Sequence, residues 1–171
     1  MSEKIITFKP ETLEQVKKII ARYPDGRQKS ALIPILHIAQ KEFGGWLDVP
    51  VMDYVASLLD IKPIEVYEVA TFYTMFNMQP VGKYVLEVCR TGPCMTRGSE
   101  KILDHIRTKL NIKDGETTED GLFTLKPAEC LGCVVARYRM MQLGKFYHEN
   151  LTIEKVDEIL ELCRQGAIAL D

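Results

Sequence analysis

Four of the five cysteines in this 171-residue chain fall in two short pairs, Cys89-Arg-Thr-Gly-Pro-Cys94 and Cys130-Leu-Gly-Cys133. Thiolates are soft ligands that select zinc, copper(I) or iron–sulfur clusters. Two such loops brought together would make a four-thiolate pocket of Cys89, Cys94, Cys130 and Cys133. Three chemistries compete for it. A redox dithiol places C-x-x-C at a helix N-terminus, where one thiol's pKa falls; Cys130 to Cys133 has that spacing, but no obvious helix follows. A structural zinc site closes four cysteines tetrahedrally, usually from two short knuckles, and the four residues between Cys89 and Cys94 make a loose one. A two-iron cluster draws two cysteines per iron from two loops. The spacing ranks the cluster first, zinc second and the dithiol third.

The elements that must hold these loops follow from the flanking pattern. Lys83 to Arg90 reads as a strand that runs into the first pair, and the pair opens a helix. The second pair follows another strand and contains Gly132, which permits close backbone approach. Ser99 to Leu110 reads as a helix, and Asp120-Gly121 and Leu143-Gly144 signal two hairpins. A last helix, Ile153 to Gln165, follows a Thr152 cap and buries Ile153, Val156, Ile159 and Leu160. Cys163 falls on that buried stripe as a packing thiol. This β-α-β-β-α order suits a small mixed sheet flanked by helices, the thioredoxin-like arrangement.

Upstream, the periodicity is helical. Glu11 to Tyr23 places Leu13, Val16, Ile19 and Ile20 on one face, and Tyr23-Pro24-Asp25-Gly26 ends it. A second helix is expected from Ser30, capped by its hydroxyl, with Pro34 in the first turn, where its missing N–H is tolerated. A third opens at Asp48 or Pro50, and a fourth runs from Pro63 towards Thr74. An aromatic-dense stretch, 70–77, precedes a break at Gln79-Pro80-Val81-Gly82. The expected class is therefore α+β: an N-terminal helical bundle over residues 1–80 followed by a thioredoxin-like mixed-sheet domain over 81–171. His37 reads as a core or interface histidine, and His105 and His148 as exposed.

Composition removes several functions. A net charge of −2 recruits neither nucleic acid nor an anionic membrane by bulk charge. The longest apolar run, 31–39, contains Pro34 and His37 and falls short of the roughly 18 residues a membrane span needs. Met1-Ser-Glu-Lys does not read as a signal peptide, so the thiols are expected in the reducing cytoplasm, where cysteine pairs serve metal or redox sites. The glycines never form the G-x-G-x-x-G turn that a dinucleotide pyrophosphate requires.

Beyond spacing, Cys89-Arg-Thr-Gly-Pro-Cys94-Met-Thr-Arg-Gly98-Ser with Pro127-Ala-Glu-Cys130-Leu-Gly resembles the thioredoxin-like [2Fe–2S] ferredoxin family, in the form found in the NADH dehydrogenase module of respiratory complex I. The likeness extends through the segments 27–44, 66–76 and 144–152, nearly the whole chain. It implies a helical domain plus a thioredoxin-like domain with one [2Fe–2S] cluster on Cys89, Cys94, Cys130 and Cys133. It also implies docking on a flavoprotein subunit that binds FMN and NADH, beside an adjacent iron–sulfur subunit, in the cytoplasmic peripheral arm of a membrane-bound NADH:quinone oxidoreductase. The isolated chain would then oxidise no NADH. Relatives occur in the diaphorase parts of NAD-linked hydrogenases and formate dehydrogenases. The alternative expectation is a zinc-stapled or cluster-free adaptor subunit. One departure stands out: the family reads C-L-G-A-C followed by A-P, whereas this chain reads Cys130-Leu-Gly-Cys133-Val-Val-Ala136-Arg137. An ungapped alignment puts Val134 in the fourth ligand slot; a gapped one keeps Cys133 there, and Cys133 is the preferred reading.

Overall fold

A computed structural model describes residues 6–132 and 139–170; Cys133 and Val134 to Tyr138 lie outside the described residues. The chain divides into two compact units, Met1–Pro80 and Val81–Asp171.

The first unit is helical: α1 (Pro10–Ile20), α2 (Leu32–Glu42), α3 (Val49–Leu59) and α4 (Pro63–Phe72). Three of these starts use proline in the first turn, where fixed φ helps and the absent N–H costs nothing. Asp48 caps α3 by accepting the Val51 N–H at 2.9 Å. Ser30 does not cap α2. A 3₁₀ turn, Gln28–Ala31, leads directly into the helix, so the chain is already coiled at the point where a capping hydroxyl would have acted. The apolar stripes meet around Val16, Ile35, Leu36, Val55, Leu59, Val66 and Ala70. In the aromatic-dense stretch, Phe76 enters this core while Phe72 is 77 % exposed. Asn77 fixes the exit of the stretch, its side-chain amide donating to the Gly45 carbonyl and its backbone N–H to Gln40 Oε1.

The second unit contains β1 (Tyr84–Cys89), α5 (Gly92–Thr96), α6 (Ser99–Leu110), β2 (Phe123–Ala128), β3 (Met141–Leu143), β4 (Phe146–His148) and α7 (Ile153–Arg164). The sheet order is β2-β1-β3-β4, with β1 and β2 parallel and the remaining pairs antiparallel. This is the α+β, thioredoxin-like fold, with one strand more than the sequence pattern suggests. Leu143-Gly144 does close a hairpin, β3 with β4, but the turn at Asp120-Gly121 closes only a single antiparallel bridge, Thr117 to Thr124. From Phe123 onwards that segment gives one edge to the parallel ladder with β1, in register from Tyr84–Phe123 to Cys89–Ala128, while its other edge meets the preceding chain through Thr118 N–H to the Phe123 carbonyl, Leu125 N–H to the Glu116 carbonyl and Gly115 N–H to the Leu125 carbonyl. Tyr84, Leu86 and Val88 alternate into a core with Phe123, Leu125, Ile102, Leu103, Ile106, Val156 and Leu160.

Gly82 sits where that ladder begins. A Cβ there would lie 3.0 Å from the Gly121 carbonyl oxygen and from the carbonyl carbons of Leu122 and Phe123, so only glycine lets the two segments approach this closely.

Candidate metal centre

Parallel pairing is what assembles the site. Strands that run together end together, so the chain leaving β1 at Cys89 and the chain leaving β2 at Ala128 emerge side by side at one edge of the sheet. The Arg90 N–H still donates to the Ala128 carbonyl at 2.9 Å beyond the last register pair. The first loop turns at once into α5 and buries Cys94, leaving Cys89 and Cys94 only 2 % and 4 % exposed. The second loop sends Leu131 onto them, and Met140, completely buried just before β3, closes the cluster of Cys89, Cys94, Met140 and Leu131.

Donors converge on both sulfurs. The Thr91 hydroxyl lies 3.3 Å from Cys89 Sγ. Burial pushes the Cys89 thiol up, but the Thr91 hydroxyl, the Leu131 N–H, the Cys94 thiol and the Thr91 N–H outweigh it, and the group ends below its ordinary value. At Cys94 burial leads, and the neighbouring Cys89 adds to it, so its thiol is raised although the Arg139 and Met140 N–H groups pull the other way. Cys89 is thus the more acidic thiol of the two. Cys89 N–H in turn donates to the Met140 carbonyl at 2.9 Å, which locks the two loops in register. This donor set fits thiolate ligation: backbone and hydroxyl hydrogens aimed at sulfur stabilise negative charge there, and they tune a bound metal group.

Of the four cysteines singled out by sequence, the structure brings Cys89 and Cys94 together and leaves Cys130 exposed, one residue from the Leu131 that packs on the pair. Cys133 lies outside the described residues, and among the described residues no group of three His, Cys, Asp or Glu side chains converges. Cys163 is buried in the α7 core, where burial raises its thiol to about 11.

His105 and His148 depart from their sequence reading, and His37 departs from the core half of its own. His37 is exposed on α2 with its ring 5.0 Å from Phe76, because the apolar stripe of α2 passes on the other side. His105 is partly buried and its Nε2 meets Asp157 Oδ1 at 2.7 Å across α6 and α7. His148 is half-buried, and Nε2 has no partner among the described residues. Sequence reading also missed Thr91 and Met140. Thr91 could have been found, since it lies in the short loop between Cys89 and Cys94; Met140 carries no such sign, because only the fold brings it back to Cys89.

Two buried thiols, charge-stabilising amides and a parallel β-α-β frame narrow the comparison with known proteins, and a family model settles it over residues 16–164. The chain belongs to the thioredoxin-like [2Fe–2S] ferredoxin family. Within this family it is 47% identical over 156 residues to an NADH-quinone oxidoreductase subunit of Rickettsia conorii, covering 91% of this chain and 92% of that protein. The corresponding protein of Rickettsia bellii is 45% identical over 159 residues, covering 92% and 94%. A crystal structure of an NAD+-reducing [NiFe]-hydrogenase in its H2-reduced state superposes with a TM-score of 0.70 at 20% identity. That match covers 82% of this chain but 23% of the hydrogenase chain, and it reports the fold alone. The family's [2Fe–2S] chemistry suits the donor set around Cys89 and Cys94.

Proposed function

We propose that this chain carries one [2Fe–2S] cluster on Cys89, Cys94, Cys130 and Cys133 and transfers electrons as a subunit of an NADH:quinone oxidoreductase of the complex I type. In this reading it docks on a flavoprotein subunit that binds FMN and NADH, next to a further iron–sulfur subunit, in the cytoplasmic peripheral arm. The observation that carries the proposal is the buried Cys89–Cys94 pair, with the Thr91 hydroxyl at Cys89 and amide hydrogens directed at both sulfurs.

A bound [2Fe–2S] cluster supplies one-electron redox chemistry. The chain's own residues do the rest. The cysteine thiolates hold the irons, and the N–H groups of Thr91, Leu131, Arg139 and Met140 offset negative charge on sulfur, which favours the reduced state. Met140 and Leu131 keep water from one side of the pair, while the exposed Cys130 marks the side open to a partner. Exposed Phe72 and Tyr73 at the end of α4 give the helical unit 1–80 an apolar docking contact. No described helix is long and apolar enough to cross a membrane, so in this reading partners supply the membrane attachment.

The test is anaerobic purification of the full chain followed by visible spectroscopy with iron and sulfide analysis, repeated for serine substitutions at all five cysteines. Two irons and two sulfides per chain with strong visible absorption are expected, together with no NADH oxidation by the chain alone. Cys163→Ser should keep iron, sulfide and spectrum, whereas Cys133→Ser should lose the cluster or yield a labile one. Stoichiometric zinc without visible absorption would replace the proposal with a structural adaptor. A wild-type spectrum in Cys133→Ser would remove Cys133 from the ligand set.

A further inference from the structure

Beside the cysteine pair lies a cavity of about 560 Å³ that the electron-transfer reading does not use. Its wall is formed by the turn from Met95 to Gly98, the first turn of α6, Arg139, and the first turn of α7. Three cationic side chains, Arg97, Lys101 and Arg139, line it against one carboxylate, Glu154. Glu154 is turned back on its own helix, accepting from its own N–H and from the Thr152 hydroxyl. Both 12-residue helices point their N-termini, and hence their partial positive charge, at the same space. Arg139 is held there on two sides: its guanidinium Nη2 donates to Asn150 Oδ1 at 3.3 Å, and its backbone is in the left-handed region at φ 68°. A left-handed conformation is unfavourable for a side-chain-bearing residue and persists where the surroundings enforce it. The same residue's backbone N–H is directed at Cys94 Sγ.

We propose that this cavity is an oxyanion site, taking a carboxylate or phosphate group on Arg97, Lys101 and Arg139, and that its occupancy is sensed at the cysteine pair through Arg139. Lys101, Arg139 and the two helix N-termini present positive charge to the cavity from several sides, and an anion of either kind satisfies the same donors. The carboxylate source would be an acidic segment of a partner protein; the phosphate source would be a free phosphate-bearing molecule. Because Arg139 joins the cavity to Cys94, an added negative charge there disfavours an electron at the neighbouring metal centre and lowers its midpoint potential. The second half of the inference rests on the cluster proposal above; the first half does not.

The experiment is equilibrium dialysis of the full chain against labelled inorganic phosphate, with tetraglutamate as competitor, followed by an EPR-monitored redox titration with and without the better ligand. One saturable site per chain is expected, weakened at least tenfold in Arg139→Gln and in Lys101→Gln. Phosphate retained against excess tetraglutamate identifies a free phosphate source; displacement at much lower tetraglutamate concentration identifies an acidic segment. Arg97→Gln serves as a second variant should Arg139→Gln fail to fold. Absence of saturable binding by either probe, or unchanged binding in the variants, overturns the site. Saturable binding with an unmoved midpoint potential overturns the link to the cysteine pair. A chain that binds anions but holds no cluster would leave the site standing and reject the electron-transfer reading instead.

Discussion

Truncating Met140 isolates what the buried wall behind the cysteines contributes. Met140 is 1 % exposed and packs with Cys89, Cys94 and Leu131, while its carbonyl accepts the Cys89 N–H at 2.9 Å and its own N–H faces Cys94. Met140→Ala leaves those backbone contacts in place and removes only the side chain. Methionine-to-alanine changes at closed core sites cost about 2–5 kcal/mol, from lost transfer energy plus the cavity left behind. The site here is walled by a strand end and two loops tied by hydrogen bonds, so it collapses poorly, and about 3 kcal/mol is the expected loss. Each 1.4 kcal/mol is a tenfold change in equilibrium, so amides of β1 and β2 that exchange by unfolding of their unit should exchange about a hundredfold faster. Native-state hydrogen exchange followed by mass spectrometry reads those strands separately from the helical unit. Met140→Leu, close in volume, should cost less than about 1.5 kcal/mol. In the proposed cluster-bearing chain, Met140→Ala should also lose visible absorption in air faster than the wild type. Exchange in β1 and β2 within about threefold of wild type would refute the argument that this side chain seals the cysteine loops.

Three further outcomes follow from particular contacts. Arg107 forks onto Asp114 through two 2.7 Å bonds and holds its carboxyl below the usual range against the opposing effect of burial. A depressed folded-state pKa contributes stability present above the unfolded value of about 3.9 and lost as pH falls through the folded value; Asp114→Asn should therefore melt below wild type at pH 7, with the two melting curves converging in acid, and parallel curves would reject the pairing. Gly82→Ala would drive a methyl to 3.0 Å from backbone atoms of Gly121, Leu122 and Phe123 and should cost about 1–3 kcal/mol in urea unfolding, whereas no loss would mean the ladder start can shift. Cys163, raised to about 11 by burial, should resist iodoacetamide at pH 8 in the native chain and react promptly in urea; rapid native labelling would show that α7 opens locally.

Local chemistry was legible in the sequence because it is written in neighbours. Prolines at positions 10, 50 and 63 and the caps Asp48 and Thr152 mark helix starts within a residue or two, and apolar periodicity then fixes which faces are buried. The cysteine spacing narrowed the chemistry to three thiolate readings, and the long resemblance named the family that the match over residues 16–164 establishes. Contacts between distant segments were not legible. The Asp120-Gly121 signal was real as a turn closing an antiparallel bridge, whereas the parallel ladder on the other edge of β2 was not legible, because it depends on which distant strand lies alongside. His105 was read as exposed since its partner, Asp157, stands 52 residues away on another helix. Ser30 carried a capping signal that the preceding 3₁₀ turn made redundant. At the site, sequence determined which thiols were present and how far apart along the chain; tertiary structure decided that Cys89 and Cys94 are buried, that Thr91, Leu131, Arg139 and Met140 surround them, and that a cationic cavity opens beside them. The physical reason is the parallel β1–β2 pairing, which sets two loops about 40 residues apart in sequence at one end of the sheet, an adjacency no local pattern encodes.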